Sequence, residues 1–488
     1  MTVYEVRQGA AGAGGSLPTL RAAAQVARAG DVVVVHAGVY RERLEPPART
    51  TWRAAEGEGP IIDGGWDGKT VPTSTPAQVL VNKPNVVLRG FEIRHSPGQG
   101  VAVAAGGDDF LMEDCLISDC YNGGFVINGQ GTPVSNVTAR RTHMHRLSRS
   151  WVVQTNPTNV NTCCSARWGR NVLFEDCSVV GGYGEGMAAG VETIGMTIRG
   201  CLIADTMHLA VDASNRARDV VVENCIIFQT GNPTYRQGDG DYGTGIVVGD
   251  ETRPDGKDDK WQHGDNIEVR YCLVVGSGAL FQVRNQLKPA GGGAGQYDGY
   301  ETRAKNLYVH HNTFIGGSNT KAGISLIENP IGHEVGGRFE SNVIILDKMR
   351  DGAVLLNRGA KGVAFTGNAW SALPAARVPD GDRLITAAAL VNPFAELTDV
   401  GQLNADNYRP TPGGPLVVDG AAIAGALGPD GPEPPVEPPP VDVPDWAALM
   451  ALAASVGEQV AVVNMAAEAA GDALGELLIK LAEYEEAA

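Results

Sequence analysis

The sequence predicts an all-β solenoid in which short strands stack rung upon rung along one axis. Three observations predict it: a short segment that recurs along the chain, alternating branched apolar residues inside each copy, and Gly or Asn between the alternations. The segments "MTIRGCLIADT" at 196–206 and "VVVENCIIFQT" at 220–230 show the pattern, with their cysteines 24 residues apart.

Aligned on Cys201, the recurrence places Phe91, Cys115, Thr142, Cys177, Cys225, Cys272, Asn312, Asn342 and Asn368 at the same anchor position. The gaps are 24, 27, 35, 24, 24, 47, 40, 30 and 26 residues. A shortest repeat that lengthens by loop insertion marks a solenoid, whose units bury their apolar faces only by stacking on neighbours. With 64 Gly among 488 residues and 6% aromatics, the chain suits a thin stacked core better than several compact domains.

Within each copy, alternations such as Ile267, Val269 and Cys272 read as a strand before the anchor. A second alternation follows about ten residues later, as in Phe125 and Ile127 or Ile246 and Val248. The Gly and Asn between them supply corners that need positive φ. No helical period is sustained between residues 80 and 370, which argues against a helical or leucine-rich solenoid.

At these residues the chain resembles the right-handed parallel β-helix family, the pectate-lyase-like superfamily, over roughly residues 3–430. The stretch "GDVVVVHAGVYRERL" is similar to that family's first strand and Gly-Val-Tyr turn, and "DNYRPTPGGPLVVDGAAIAGALG" to its closing segment. The resemblance implies a right-handed parallel β-helix. It implies no one chemistry, because the superfamily holds lyases, hydrolases, epimerases, adhesins and phage tailspikes.

The expected order is an N-terminal strand and capping helix over 1–75, the coil over 76–372, a C-terminal cap over 373–432, a Pro-rich linker over 433–445 and a helix over 446–488. The capping helix lies in "GSLPTLRAAAQVARAGD", with Ser16 able to cap, Pro18 in the first turn and Gly30 at its end. Such a helix would cover strand edges that otherwise invite pairing with other chains. The linker "GPDGPEPPVEPPPVDVPDW" should be extended and semi-rigid.

From Trp446 through Leu449, Ala453, Val456, Val460, Val463, Ala467, Ala470, Leu474, Leu477 and Leu481 to Tyr484, apolar residues step by three and four. That is the a/d pattern of a coiled coil, and the other reading is a lone amphipathic helix packed back on the coil. Gly457, Gly471 and Gly475 each weaken the helix by about 1 kcal/mol relative to Ala, so partner packing must compensate. The seam does not set the number of strands. Resemblance to trimeric tailspikes implies a homo-oligomer of three chains through 446–488.

The net charge of −17 argues against broad nucleic-acid binding, which needs clustered Lys and Arg. No stretch of 18 apolar residues could span a membrane. The start "MTVYEVRQ" lacks the basic and apolar segments of a secretory signal. The expected location is a virion, whose proteins are released by lysis, or the extracellular space. Five of the eight Cys occupy the anchor and should form a buried row of thiols, with inter-rung disulfides as the alternative. Cys163 and Cys164 fall in an insertion and form the one pair suited to reactivity or bridging.

Three long gaps place loops in the middle of the stack, where solenoids commonly bind ligands. These loops and their borders carry Trp151, Tyr183, Tyr242, Trp261, Arg284 and Tyr297, the candidate ligand-binding residues; aromatic faces beside polar groups suit sugar rings. Packing of those aromatics onto the coil is the alternative.

Counting from the anchors puts Arg149 and His208 at the seventh position, Glu185 at the eighth and Asp212 at the eleventh, facing outward if Val211 and Ala213 face in. On successive rungs these four candidate catalytic residues would line one edge and supply an acid and a base, or an Arg base for β-elimination. A solvated ladder of charges is the other reading. Asp239, Asp241 and Asp250 could hold a hard cation such as Ca²⁺, although no EF-hand spacing is present and acidic loops are commonly just solvated.

The polygalacturonase-type motif set of the resembling family is missing from successive rungs, Gly332-His333-Glu334 being the nearest match to its histidine motif. The reading that follows is a phage or cell-surface spike or fibre that binds glycans and contacts a virion neighbour. The rivals are a polysaccharide lyase or hydrolase and a purely structural virion component.

Overall fold

A full repeat folds into three strands, as the one around Cys201 shows: Ile194–Arg199, Leu202–Thr206 and Leu209–Ser214. The strand directly after the anchor is the one that the two sequence alternations do not separate. This computed structural model describes residues 1–9, 16–153, 162–214, 216–229, 243–250, 264–276, 278–285, 305–317, 320–326, 334–346, 353–357, 361–371, 382–386, 389–391, 393, 405–412, 414–418 and 421–422. Among them the strands stack in parallel register into three sheets of 13, 13 and 10 strands, a β-helix.

The corner between the first and second sheets explains the anchor. The residue just before it takes a left-handed conformation on ten successive rungs, from Gly90 through Asp114, Asp176 and Asn224 to His311 and Gly367, with φ between 45° and 81°. That turn directs the anchor side chain inward, and every cysteine of the row is a buried, unbonded thiol. The thiol row passes into an asparagine ladder. Asn312 Nδ2 donates to Asn342 Oδ1 at 3.0 Å, and Asn342 Nδ2 to Asn368 Oδ1 at 2.9 Å. Asp382 ends it, accepting from Asn368 N at 2.8 Å and Trp370 Nε1 at 2.7 Å.

Two local expectations are corrected. The N-terminal helix spans Leu20–Val26, with Thr19 as its N-cap in place of Ser16 and Ala27 as its end in place of Gly30. Glu42 accepts from Leu20 N and Arg21 N, satisfying two further open donors of the first turn, so no longer helix is required. Leu20, Ala23 and Ala27 pack into the same core as Val6 and Val33. Cys163 and Cys164 lie in the strand Thr162–Arg167 of the third sheet, not in the insertion, and both are fully buried.

The outer faces differ. On the first sheet Arg89, Glu113, Arg140, Glu175, Arg199, Glu223 and Arg270 alternate in register from rung to rung, and adjacent members form ion pairs. On the second sheet the outer row turns apolar at Leu202, and residues such as Ile226, Phe228 and Leu273 form a second buried cluster with Ile385, Leu390, Tyr408 and Leu416 of the C-terminal segment. That segment therefore lies along the second sheet. No helix among the described residues is long and apolar enough to cross a membrane.

Candidate functional site

A second left-handed column forms the corner after the second sheet. His95, Asp119, Arg146, Gly181, Asp205 and Gly276 have φ of 51°, 51°, 51°, 69°, 49° and 83°. Each lies four residues after its anchor. On the three consecutive rungs of His95, Asp119 and Arg146 this places polar residues at the corner, with rungs about 4.8 Å apart.

At the N-terminal end of this corner the side chains lock together. Asp119 accepts from Arg146 through Nε at 2.8 Å and Nη2 at 2.5 Å, and from Arg149 Nη1 at 3.1 Å. Burial opposes the Asp119 charge, but the Arg146 pair outweighs it and holds the carboxyl below the usual range. The Arg149 guanidinium lies 6.0 Å from the Trp66 ring, which meets Tyr121 edge to face at 5.4 Å. Two rungs earlier, Asp63 accepts from Arg94 Nε at 2.9 Å and stands 3.2 Å from His95 Nδ1. Among the described residues, Arg149 Nε and Trp151 Nε1 are buried donors with no acceptor. A buried donor left unmet costs about 1–3 kcal/mol, so a ligand oxygen placed there would recover free energy.

Further along, the strand Glu185–Ala189 brings in Glu185, whose Oε2 accepts from Thr162 Oγ1 at 2.9 Å. Its Oε1 is 4.0 Å from His208 Nδ1, and both side chains are largely buried. Gly186 permits this approach. A Cβ there would stand 2.4 Å from the Ala210 carbonyl oxygen on the next rung. A carboxylate and an imidazole this close can exchange or hold a proton for a ligand between them.

The four candidate catalytic residues do not form one continuous column. The structure joins Glu185 to His208 and gives Arg149 to Asp119 on a different rung. Asp212 takes the outward row of the third sheet as expected, with Val211 and Ala213 in the core, yet it is only 4% exposed and accepts from Ser214 Oγ at 2.9 Å.

Of the candidate ligand-binding residues, Trp151 is partly buried in the short helix Ser150–Val153, and Tyr183 follows the Gly181–Gly182 corner, where burial raises its pKa. Tyr242, Trp261 and Tyr297, with Asp239 and Asp241, lie outside the described residues. Asp250 ends the strand Thr244–Asp250 and Arg284 is the last but one residue of Ala279–Asn285 in the third sheet, opposite Asn285 and Gly249, and their side chains are outside the described set. Among the described residues no group of three or more His, Cys, Asp or Glu is arranged around an ion.

Sequence reasoning missed Trp66, Asp63, His95, Asp119, Tyr121 and Arg146. The fourth position after each anchor was the available signal for three of them, His95, Asp119 and Arg146.

The comparisons bear on the fold. Residues 77–255 match the family described as the right handed beta helix region. No curated protein sequence matches the chain. Among solved structures, the pectate lyase Pel9A is 13% identical over 83% of this chain and 86% of its own, with a TM-score of 0.44. A mannuronic acid specific polysaccharide family 6 lyase from human gut microbiota is 12% identical over 79% and 91%, with a TM-score of 0.45. The tailspike of E. coli bacteriophage HK620, as a double mutant, is 14% identical over 74% and 62%, with a TM-score of 0.43. With the family match across the central rungs and three parallel sheets extending the same coil on both sides, the described residues fold as a right-handed parallel β-helix.

Proposed function

We propose that this β-helix engages a glycan along the corner between its second and third sheets, as a virion or extracellular spike or fibre. The observation that carries this reading is the joined set of Trp66, Tyr121, Arg149 and Asp119, beside Arg149 Nε and Trp151 Nε1, which meet no acceptor among the described residues. Aromatic rings beside fixed Arg and Asp groups match the apolar faces and hydroxyls of a sugar ring. The heptads of 446–488, outside the described residues, would join three chains and present three such corners to a surface, with a virion neighbour at the attachment end.

One observation favours a second reading, a polysaccharide lyase or hydrolase: the Glu185–His208 pair could move a proton at a glycosidic bond. The test is a screen of host and plant polysaccharides for binding, run beside reducing-end and unsaturated-product assays. Binding that falls at least ~10-fold in Arg149→Ala, about 1.4 kcal/mol, supports the corner as the site. Binding unaffected by Arg149→Ala and Trp66→Ala together, or binding to no polysaccharide, overturns it. Product formation that is lost in Glu185→Gln turns the reading to the enzyme. Solution mass with and without residues 433–488 tests the oligomer, which is refuted if both are monomers at micromolar concentration.

A further inference from the structure

Two adjacent histidines stand apart from that site, at the corner where the first sheet turns into the second. His310 ends the strand Lys305–His310 and lies in register with Arg270 and Glu340 on the outer face. His311 is the next residue, at the left-handed corner position with φ of 53°. Their Nδ1 atoms are 2.9 Å apart.

Glu268 Oε1 lies 3.0 Å from His310 Nε2. A carboxylate accepts only, so that nitrogen carries the proton and His310 Nδ1 presents a bare lone pair toward His311. The ring is further held by Tyr308, stacked on it with centroids 3.9 Å apart, while the Arg338 guanidinium lies 3.8 Å from the Tyr308 ring centre. Tyr271 borders both imidazoles at 5.6 and 5.5 Å. His310 is buried, and the pair reaches solvent through the partly exposed His311.

We propose that His310 and His311 chelate a divalent transition-metal ion of tetragonal preference, Cu²⁺ or Ni²⁺, through their two Nδ1 atoms. At an imidazole-to-metal distance of about 2.0–2.1 Å, donors this close subtend about 90° at the ion, the cis angle of tetragonal and octahedral complexes. A tetrahedral Zn²⁺ would need them wider apart. On binding, the proton on His311 Nδ1 moves to Nε2, so the ring stays neutral and its lone pair turns to the ion. Glu268 stands where a carboxylate behind a ligating histidine sets the tautomer and the ring orientation. Because no third His, Cys, Asp or Glu among the described residues completes the set, water fills the other positions and the ion stays open to an incoming ligand. Imidazole nitrogens suit these ions and not Ca²⁺, which takes oxygen.

The test adds Cu²⁺ alone, at one equivalent, to the full chain and reads its electron paramagnetic resonance spectrum. Two equatorial imidazole nitrogens are expected. His311→Asn keeps a residue suited to the corner and should remove one nitrogen and weaken binding at least ~10-fold against a competing chelator; His310→Gln should do the same. Glu268→Gln should keep both nitrogens and weaken binding by roughly 10–100-fold, the signature of a positioning residue. An unchanged spectrum in both histidine variants overturns the proposal, as does a wild-type chain that retains no Cu²⁺ against equimolar glycine.

Discussion

Glu185 and His208, on consecutive rungs, bring a carboxylate oxygen and an imidazole nitrogen to 4.0 Å, with Thr162 fixing the other carboxylate oxygen at 2.9 Å. Glu185→Gln and His208→Ala should each weaken glycan binding about 10-fold with unchanged melting temperature, as titration calorimetry would read. Full affinity in both variants would place the ligand elsewhere on the coil.

Asn342 is the centre of the ladder. Its Nδ2 donates to Val309 O at 2.9 Å as well as to Asn368, and its Oδ1 accepts from Asn312 N and Nδ2, both at 3.0 Å. Asn342→Ala leaves several buried groups unmet and should cost about 3–5 kcal/mol, measured by urea unfolding. A loss below about 1 kcal/mol would mean that water replaces the amide.

Stability should fall on both sides of a mildly acidic optimum. His36 stands between Glu58, 2.8 Å away, and Glu5. Burial opposes its charge, but the two glutamates outweigh burial and raise its pKa above the ordinary 6.5. Its contribution is therefore complete below that value and is lost as pH rises through the folded pKa. Asp63, Asp119 and Glu223 act in the opposite sense. Burial opposes their charges, Arg94, Arg146 and Arg199 outweigh it, and their folded pKa values fall below the ordinary 3.8 and 4.5. Their contribution is present above the ordinary values and is lost as pH falls through the folded ones. The urea midpoint should decline toward both acid and alkaline pH, and His36→Gln should flatten the alkaline side alone.

The thiols should be silent in the folded chain. Burial pushes Cys115 and Cys163 up to about 12 and Cys164 well above its ordinary value. A thiol reagent at pH 8 should label none in the native protein and all 8 after denaturation. Fewer than that number in the denatured, unreduced chain would reveal a disulfide.

The amino-acid sequence by itself determined the stack, its rungs and the inward row at Cys115 to Asn368. Those features rest on alternation and on a left-handed residue one place before the anchor, both properties of a few consecutive residues. Asp212 falls between the core residues Val211 and Ala213 by the same alternation. Only the tertiary structure decided which side chains meet. Asp119 joins Arg146 and Arg149 across 27 and 30 residues, and Glu185 joins His208 across a rung, because register and rotamer, not spacing alone, choose the partners. Asp382 at the end of the ladder, the C-terminal segment along the second sheet and Glu268 behind His310 arise in the same way, from contacts that close long loops. Such contacts leave no local trace in the chain.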